Sequence, residues 1–203
     1  MRRHLPNVLT VTRVVLTPVV LVLLATKTLW AQAGALVLFM LASVSDWLDG
    51  KLAREMNVDT RLGRFLDPLA DKVLVLGVFA TLAIEQPDTV PWWAVGLIAL
   101  RDVVITVLRA WAEARGVNLR TLPLAKSKTA AQLFFLVTML ALLTARQLPG
   151  PLERSAAWML DESLIPYAFL MVVVALTVIT GALYVYYQPA ASRLFKRSMS
   201  SNR

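Results

Sequence analysis

Residues 46–71 read DWLDGKLAREMNVDTRLGRFLDPLAD and join two long apolar runs of the chain. Asp46 and Asp49 are three residues apart near the end of the first run. Asp67 and Asp71 are four residues apart at the start of the second run. Because residues three or four apart share one side of an α-helix, each pair is predicted to lie on a single helical face. The stretch therefore predicts two helices that bring four carboxylates to one junction.

These carboxylates indicate a divalent metal site. Acids beside an apolar run are costly unless a cation or a ligand compensates them, and Asp46 and Asp49 also lie where the helix dipole is negative. Oxygen ligands suit Mg²⁺, Mn²⁺ or Ca²⁺, whereas zero Cys and a single His argue against structural zinc. The alternative is that the acids are solvated helix ends. Four acids at these spacings on adjoining helices favour the metal site.

Small residues lie between the two acidic pairs. Gly50, Ala53 and Gly63 would leave room for a flat or phosphorylated ligand to approach the backbone, although they could instead serve helix packing. Arg54 follows Gly50 by one turn and could pair with a phosphate. Its alternative role is that of an arginine at a helix end that extends to the membrane surface.

The stretch resembles the signature of the CDP-alcohol phosphatidyltransferase family, D-x2-D-G-x2-A-R-x8-G-x3-D-x3-D. Every specified position matches, at Asp46, Asp49, Gly50, Ala53, Arg54, Gly63, Asp67 and Asp71. The resemblance implies an enzyme that transfers a phosphatidyl group from a CDP-linked lipid to an alcohol and releases CMP. It implies Mg²⁺ or Mn²⁺ held by Asp46, Asp49 and Asp67. It also implies that Asp71 is the general base on the acceptor hydroxyl and a further metal ligand.

The same resemblance assigns residues to the CDP-lipid, whose tails would stay in the bilayer. Contacts with the CDP portion are implied for Gly50, Ala53, Arg54 and Thr60. The acceptor alcohol would then approach from the cytosol.

The beginning of the chain carries a second pattern, in which Asn7, Thr10 and Arg13 recur every three residues. Arg13 lies inside the first apolar run and needs a partner, either an acid of the central site or a substrate phosphate. Phosphatidylglycerophosphate synthases, a subgroup of the family, open with a similar N-x2-T-x2-R-x4-P pattern, which here ends at Pro18. On this resemblance, Asn7 and Thr10 contact the CDP-lipid and Arg13 the acceptor phosphate. The alternative is a helix cap at Asn7 and an Arg13 that extends to the membrane surface.

The composition predicts an all-α, polytopic integral membrane protein. Hydrophobic residues make up 58% of the 203 residues, which exceeds the usual globular share. Residues 1–203 are interpreted as one domain, since no linker or repeat divides them. Six transmembrane helices of about 20 residues are predicted. They cover residues 8–26, 31–51, 64–84, 91–111, 125–144 and 165–186.

Basic residues predict the orientation in the membrane. The termini and the second and fourth connections, counted with the adjacent span ends as residues 51–64 and 115–128, carry 14 Lys and Arg residues, whereas the other connections carry three. The positive-inside rule then places both termini and the aspartates on the cytoplasmic side of the inner (cytoplasmic) membrane. The basic residues behind the net charge of +8 are concentrated on one side of the membrane. Anionic membrane lipids rather than nucleic acid are therefore the expected partners.

Further basic residues in the fourth and fifth spans suit an anionic acceptor. Arg101 and Arg109 are eight residues apart and share a helical face, and Lys126 and Lys128 open the fifth span. The stretch from Ala125 resembles the subgroup pattern G-K-x-K-T-x2-Q, with Ala in place of Gly. The residues and the subgroup resemblance together indicate sn-glycerol 3-phosphate as the acceptor. The alternative for the arginines is structural pairing with Asp102 or the central acids.

Other functions were compatible with parts of this pattern. Within the family, the alternatives are phosphatidylinositol phosphate synthase and CDP-dependent cardiolipin synthase. Outside it, the aspartates could serve a membrane cation carrier or belong to a non-catalytic scaffold. The cluster at one interface, together with Gly50, Ala53 and Arg54, favours the transferase. The family resemblance also implies a homodimer.

Overall fold

The computed structural model describes the backbone of residues 5–56, 61–114 and 123–187, and the side chains of residues 15–45, 72–109, 111–112, 127–184 and 186. Within these ranges the chain forms seven α-helices and no strand. The helices are α1 Leu5–Ala25, α2 Leu29–Met56, α3 Arg61–Glu85, α4 Trp92–Ala114, α5 Pro123–Ala145, α6 Pro151–Ala157 and α7 Ile165–Tyr187, with a π-helical turn, Trp158–Glu162, directly after α6.

The prediction of an all-α fold is confirmed. Each of the six predicted segments coincides with one long helix, namely α1 to α5 and α7, and the largest difference is the extension of α2 to Met56. Two helical segments, Ser127–Ala145 and Ile165–Tyr184, are long and apolar enough to cross a bilayer. Val15–Ala25 and Leu29–Ser45 are shorter apolar segments. The fold fits a membrane protein, and six crossings stay a prediction.

The outer surface of the helices carries large apolar side chains. Leu41, Val107 and Phe134 on three different helices are 57%, 60% and 67% exposed. Such exposure is unusual for a soluble bundle but is expected where lipid tails cover the surface. The surface therefore agrees with the composition.

Aromatic rings fix the centre of the bundle. Phe135 of α5 stacks on Phe79 of α3 with ring centroids 5.8 Å apart, and it meets Phe169 of α7 edge to face at 5.4 Å. Phe79 and Phe135 are fully buried. Pairs of this geometry add to the stabilisation that burial already provides. They hold α3, α5 and α7 together.

A tight turn joins α1 to α2. Lys27 has a φ of 52°, a left-handed conformation that is strained for a residue with a side chain. Its ammonium lies 3.9 Å from a carboxylate oxygen of Glu85 at the end of α3. Burial raises the pKa of Glu85 above 4.5, and the charge of Lys27 partly opposes this shift.

Helix α6 was not predicted from the sequence. Gly150 precedes it with a φ of 101°, Pro151 is its first residue, and Glu153 lies in its first turn. Arg146 and Asp161 form an ion pair with a nitrogen-to-oxygen distance of 2.9 Å across the connection. This segment lies at the end of the bundle opposite to the signature, because consecutive long helices are joined by short connections and run antiparallel.

Candidate active site

The family signature lies on two adjoining helix ends. Asp46, Asp49 and the residues up to Arg54 belong to the last turns of α2, which ends at Met56. Gly63, Asp67 and Asp71 belong to the first turns of α3, which begins at Arg61. The predicted helices on each side of the junction are thus confirmed. The side chains of the signature, and Thr60 altogether, lie outside the described residues.

The metal ligands stay a prediction. Among the side chains that the structure describes, no group of three or more His, Cys, Asp or Glu residues could hold a metal ion. The four signature aspartates are not in that set. Their chemistry fits a hard divalent cation, since carboxylates are the oxygen ligands that Mg²⁺ and Mn²⁺ prefer.

A buried ion cluster joins α4 to α5. The Lys128 ammonium donates to both carboxylate oxygens of Asp102, at 2.6 and 2.8 Å. Nη1 of Arg101 donates to Asp102 Oδ1 at 3.2 Å. The side chains of Lys128, Asp102 and Arg101 are only 3%, 8% and 15% exposed. One carboxylate therefore serves two cations, and the cluster keeps a net positive charge.

Helix α7 contacts both arginines of α4. Nη2 of Arg101 donates to the Thr180 hydroxyl at 3.2 Å, and that hydroxyl donates in turn to the carbonyl of Leu176. Nε of Arg109 donates to the Tyr184 hydroxyl at 3.3 Å, and its guanidinium carbon lies 5.5 Å from the centre of the tyrosine ring. Both arginines are thus oriented by hydroxyl groups of α7.

The ion cluster extends from the middle of the bundle towards the end that carries the signature, with Arg101 and Asp102 at the middle of α4. Lys128 is in the first half of α5, whereas Thr180 is in the second half of α7, and both halves lead to the end at which α2 stops and α3 starts. Lys72, the residue after Asp71, is close enough to Lys128 for their charges to interact. The fold therefore brings the predicted acceptor cations to the side of the predicted metal ligands.

The predicted acceptor residues fall into three groups. Arg101 and Lys128 are brought together on Asp102, and this shows the structural pairing that was the alternative for Arg101. Arg109 lies on the same face of α4, as predicted, but contacts Tyr184 instead of the cluster. The other two predicted acceptor residues, Arg13 of α1 and Lys126 of α5, lie on described helices, but their side chains are outside the described residues. The same holds for Asn7 and Thr10 of α1, which were assigned to the CDP-lipid.

Sequence reasoning missed the contribution of α7. Thr180 and Tyr184 are four residues apart and therefore share a helical face, but the whole helix is apolar and carries no charged residue. Their spacing is a weak signal, because Thr and Tyr are common in membrane helices and at their ends. Only the packing of α7 against α4 identifies them.

Comparisons with known proteins cover most of the chain. The family model for CDP-alcohol phosphatidyltransferase matches residues 3–179. A relative from Pseudomonas fluorescens is 37% identical over 144 residues, which are 68% of this chain and 72% of the relative. One from Escherichia coli K12 is 37% identical over 146 residues, 69% and 78% of the two chains. One from Bacillus subtilis 168 is 36% identical over 143 residues, 64% and 72%.

All three relatives carry the name CDP-diacylglycerol–glycerol-3-phosphate 3-phosphatidyltransferase. The match covers both halves of the signature, helix α4 with Arg101 and Arg109, and the part of α5 with Lys128. Enzymes of this family generally depend on a divalent metal, but membership of the family does not specify which metal is used. The chain is therefore an all-helical transferase with the apolar helices typical of a membrane protein, and it belongs to the CDP-alcohol phosphatidyltransferase family.

Proposed function

We propose that the protein transfers the phosphatidyl group of CDP-diacylglycerol to sn-glycerol 3-phosphate, giving phosphatidylglycerophosphate and CMP. The observation that carries this proposal is the complete signature on the adjoining ends of α2 and α3, within a family match to residues 3–179. The names of the similar bacterial proteins support the choice of both substrates. The product is an anionic phospholipid precursor.

Asp46, Asp49, Asp67 and Asp71 are the residues that would hold Mg²⁺ or Mn²⁺. When bound, the metal would neutralise the diphosphate of the CDP-lipid and stabilise the charge that develops on the leaving CMP. Gly50, Ala53, Arg54 and Thr60, with Asn7 and Thr10 of α1, would contact the CDP-lipid. These last assignments rest on the family resemblance.

Asp71 would act as the general base. Its carboxylate takes the proton of the acceptor hydroxyl as that oxygen bonds to the phosphatidyl phosphorus and the bond from phosphorus to the CMP oxygen breaks. Asp71 precedes Lys72 on α3, and Lys72 is close enough to Lys128 of α5 for their charges to interact, which supports an acceptor that lies between α3 and α5.

The cations of α4 and α5 would bind the phosphate of the acceptor. The Arg101–Asp102–Lys128 cluster has a net positive charge in a buried position, which favours an anion over a neutral alcohol. Arg109, Lys126 and Arg13 would extend this positive region. Inositol phosphate would satisfy the same charges and is the competing acceptor.

The proposed site belongs on the cytoplasmic side of the inner membrane. Six spans, formed by α1 to α5 and α7, would place both termini and the signature on the side that carries most Lys and Arg residues. CDP-diacylglycerol would enter laterally from the bilayer. A homodimer is part of the proposal on the family resemblance alone.

The test is CMP release by the purified protein in detergent, with CDP-diacylglycerol and Mg²⁺ or Mn²⁺. The acceptors compared are sn-glycerol 3-phosphate, inositol 3-phosphate, phosphatidylglycerol and serine. We expect release with glycerol 3-phosphate alone, and its loss in Asp71→Asn and on chelation of the metal. Asp161→Asn, which changes an exposed acid at the far end of the bundle, is the matched control and should keep its activity.

Each alternative gives a different result in this assay. Release with inositol phosphate or with phosphatidylglycerol would replace the proposed acceptor but keep the aspartate chemistry. No release with any acceptor, from protein that is folded and binds metal, would contradict a transferase and favour a cation carrier or a scaffold.

A further inference from the structure

The side chain of Arg101 passes close to the backbone of α7 at Gly181. A Cβ atom added at Gly181 would lie 3.1 Å from Cγ and 3.7 Å from Nε of Arg101. The first distance is tighter than ordinary van der Waals contact, so a Cβ at this position would require the arginine side chain to shift slightly. Glycine is otherwise unfavourable inside a helix by about 1 kcal/mol relative to alanine. An alanine at position 181 would disturb the close contact between Arg101 and the backbone of α7.

Arg101 is held from two sides. Asp102 accepts from Nη1 and Thr180 accepts from Nη2, both at 3.2 Å, so the plane of the guanidinium group is fixed by α4 and α7 together. Its Nε is buried and has no hydrogen-bond partner among the described residues. A buried donor without a partner is costly. A ligand oxygen near this position would remove that cost.

Tyr184 contacts Arg109 as Thr180 contacts Arg101, because each hydroxyl accepts a hydrogen bond from the arginine. It lies one helical turn further along α7, it is 1% exposed, and its hydroxyl accepts from Nε of Arg109 at 3.3 Å. The arginines are eight residues apart on α4 and their partners are four apart on α7. One face of α7 thus orients two successive cations.

We propose that Thr180, Gly181 and Tyr184 are positioning residues that set the affinity for the acceptor phosphate through Arg101 and Arg109. All three lie beyond residue 179, where the match to the family model ends. This inference rests on the proposed function. It adds the second half of α7, which is far from the signature along the chain, to the proposed acceptor site.

The test compares Gly181→Ala, Thr180→Val and Tyr184→Phe in the CMP-release assay, with the KM for glycerol 3-phosphate and the KM for CDP-diacylglycerol measured separately. We expect the acceptor KM to rise about tenfold in Thr180→Val and Tyr184→Phe, the order expected when one charge-assisted hydrogen bond is lost, and to rise also in Gly181→Ala, where the new Cβ shifts Arg101. The KM for CDP-diacylglycerol should stay within about twofold, since these residues do not hold the nucleotide. Thr180→Ser, which restores the hydroxyl, should recover the acceptor KM.

Two other glycines supply matched controls. Gly77→Ala creates equal crowding, with Leu21 Cδ1 at 3.1 Å from the new Cβ, but no cation is involved. Gly96→Ala meets nothing within 4 Å. Tyr167→Phe removes a hydroxyl from the other end of α7. If Gly181→Ala behaves like Gly77→Ala, with both KM values moved alike or neither moved, the inference is wrong.

A second readout separates this inference from the proposed function. If the wild-type protein releases CMP with another phosphorylated acceptor, the variants are judged on the KM for that acceptor. If it releases none, the proposed function fails, and isothermal titration of glycerol 3-phosphate into the wild type and the three variants tests the anion site directly. Binding that is absent in the wild type, or equal in all four proteins, overturns the inference.

Discussion

Asp102 links the two buried cations of the proposed acceptor site. It accepts from Lys128 and from Arg101 in a buried position, and these two cations belong to different helices. Charges buried in this way are tolerable only when they are paired, because the loss of water is costly for each of them. The single acid is therefore both a structural link and the group that orients the proposed anion site.

Replacing Asp102 with Asn should destabilise the protein by about 3 kcal/mol, because two buried cations lose their counter-charge. The free energy of unfolding, measured with denaturant in detergent micelles, tests this. Asp161→Asn breaks the ion pair with Arg146, whose side chains are 38% and 45% exposed, and should cost less than about 1 kcal/mol. Equal costs for the two variants would show that the Asp102 cluster contributes no more than a surface pair.

The pH dependence of stability should report on Glu85. Its pKa is raised by burial in the folded protein, so the folded state holds this proton more tightly than the unfolded state does. The resulting contribution to stability is complete below pH 4.5 and is lost as the pH rises through the folded-state pKa. Over that range, unfolding measurements in detergent should show the wild type losing stability relative to Glu85→Gln. Parallel curves for the two proteins would contradict the raised pKa.

At the scale of elements, the turn between α1 and α2 depends on one unusual backbone conformation. Lys27→Gly and Lys27→Ala both remove the ammonium that faces Glu85. The difference in stability between the two variants therefore reports only the cost of the backbone conformation at φ 52°. We expect the glycine variant to be more stable than the alanine variant by about 1 kcal/mol. Unfolding of the two proteins side by side measures this difference, and the reverse order would show that the turn changes conformation.

The long helices could be predicted from the sequence because apolar runs of about 20 residues leave few alternatives. Their predicted ends differ from the observed ones by five residues at most, at the end of α2, where polar residues of the signature continue the helix. Helix α6 was missed because its seven residues are too short for a periodic pattern. Pro151 and Glu153 are start signals that could have indicated it.

At the scale of the whole molecule, the two parts of the site differ in how far the sequence reveals them. The signature is local, so its residues could be matched to the family pattern from their types and spacing, and their roles in the site stay a prediction. The cation cluster joins residues 26 apart for Asp102 and Lys128 and 79 apart for Arg101 and Thr180. Such pairs depend on which helices pack together, and spacing along one chain does not determine that packing.

The orientation of the whole bundle gives a prediction that the absence of Cys makes simple to test. In intact cells, a membrane-impermeant maleimide should label Asp88→Cys and Gln147→Cys, which lie in connections at the end opposite to the signature. Asn118→Cys and Ser198→Cys should be labelled only after lysis. The reverse pattern would place the signature on the outer side, away from cytoplasmic nucleotides, and would contradict the proposed location.

Val107→Cys tests whether the bundle is embedded at all. This side chain is 60% exposed in the protein alone and would react in a water-soluble bundle. If α4 spans a bilayer, lipid tails cover the position, and a charged maleimide should not reach it before or after lysis while the membrane is intact. Labelling should appear only when detergent-denatured protein is treated. Rapid reaction in washed membranes would exclude a transmembrane α4 and, with it, the six-span arrangement.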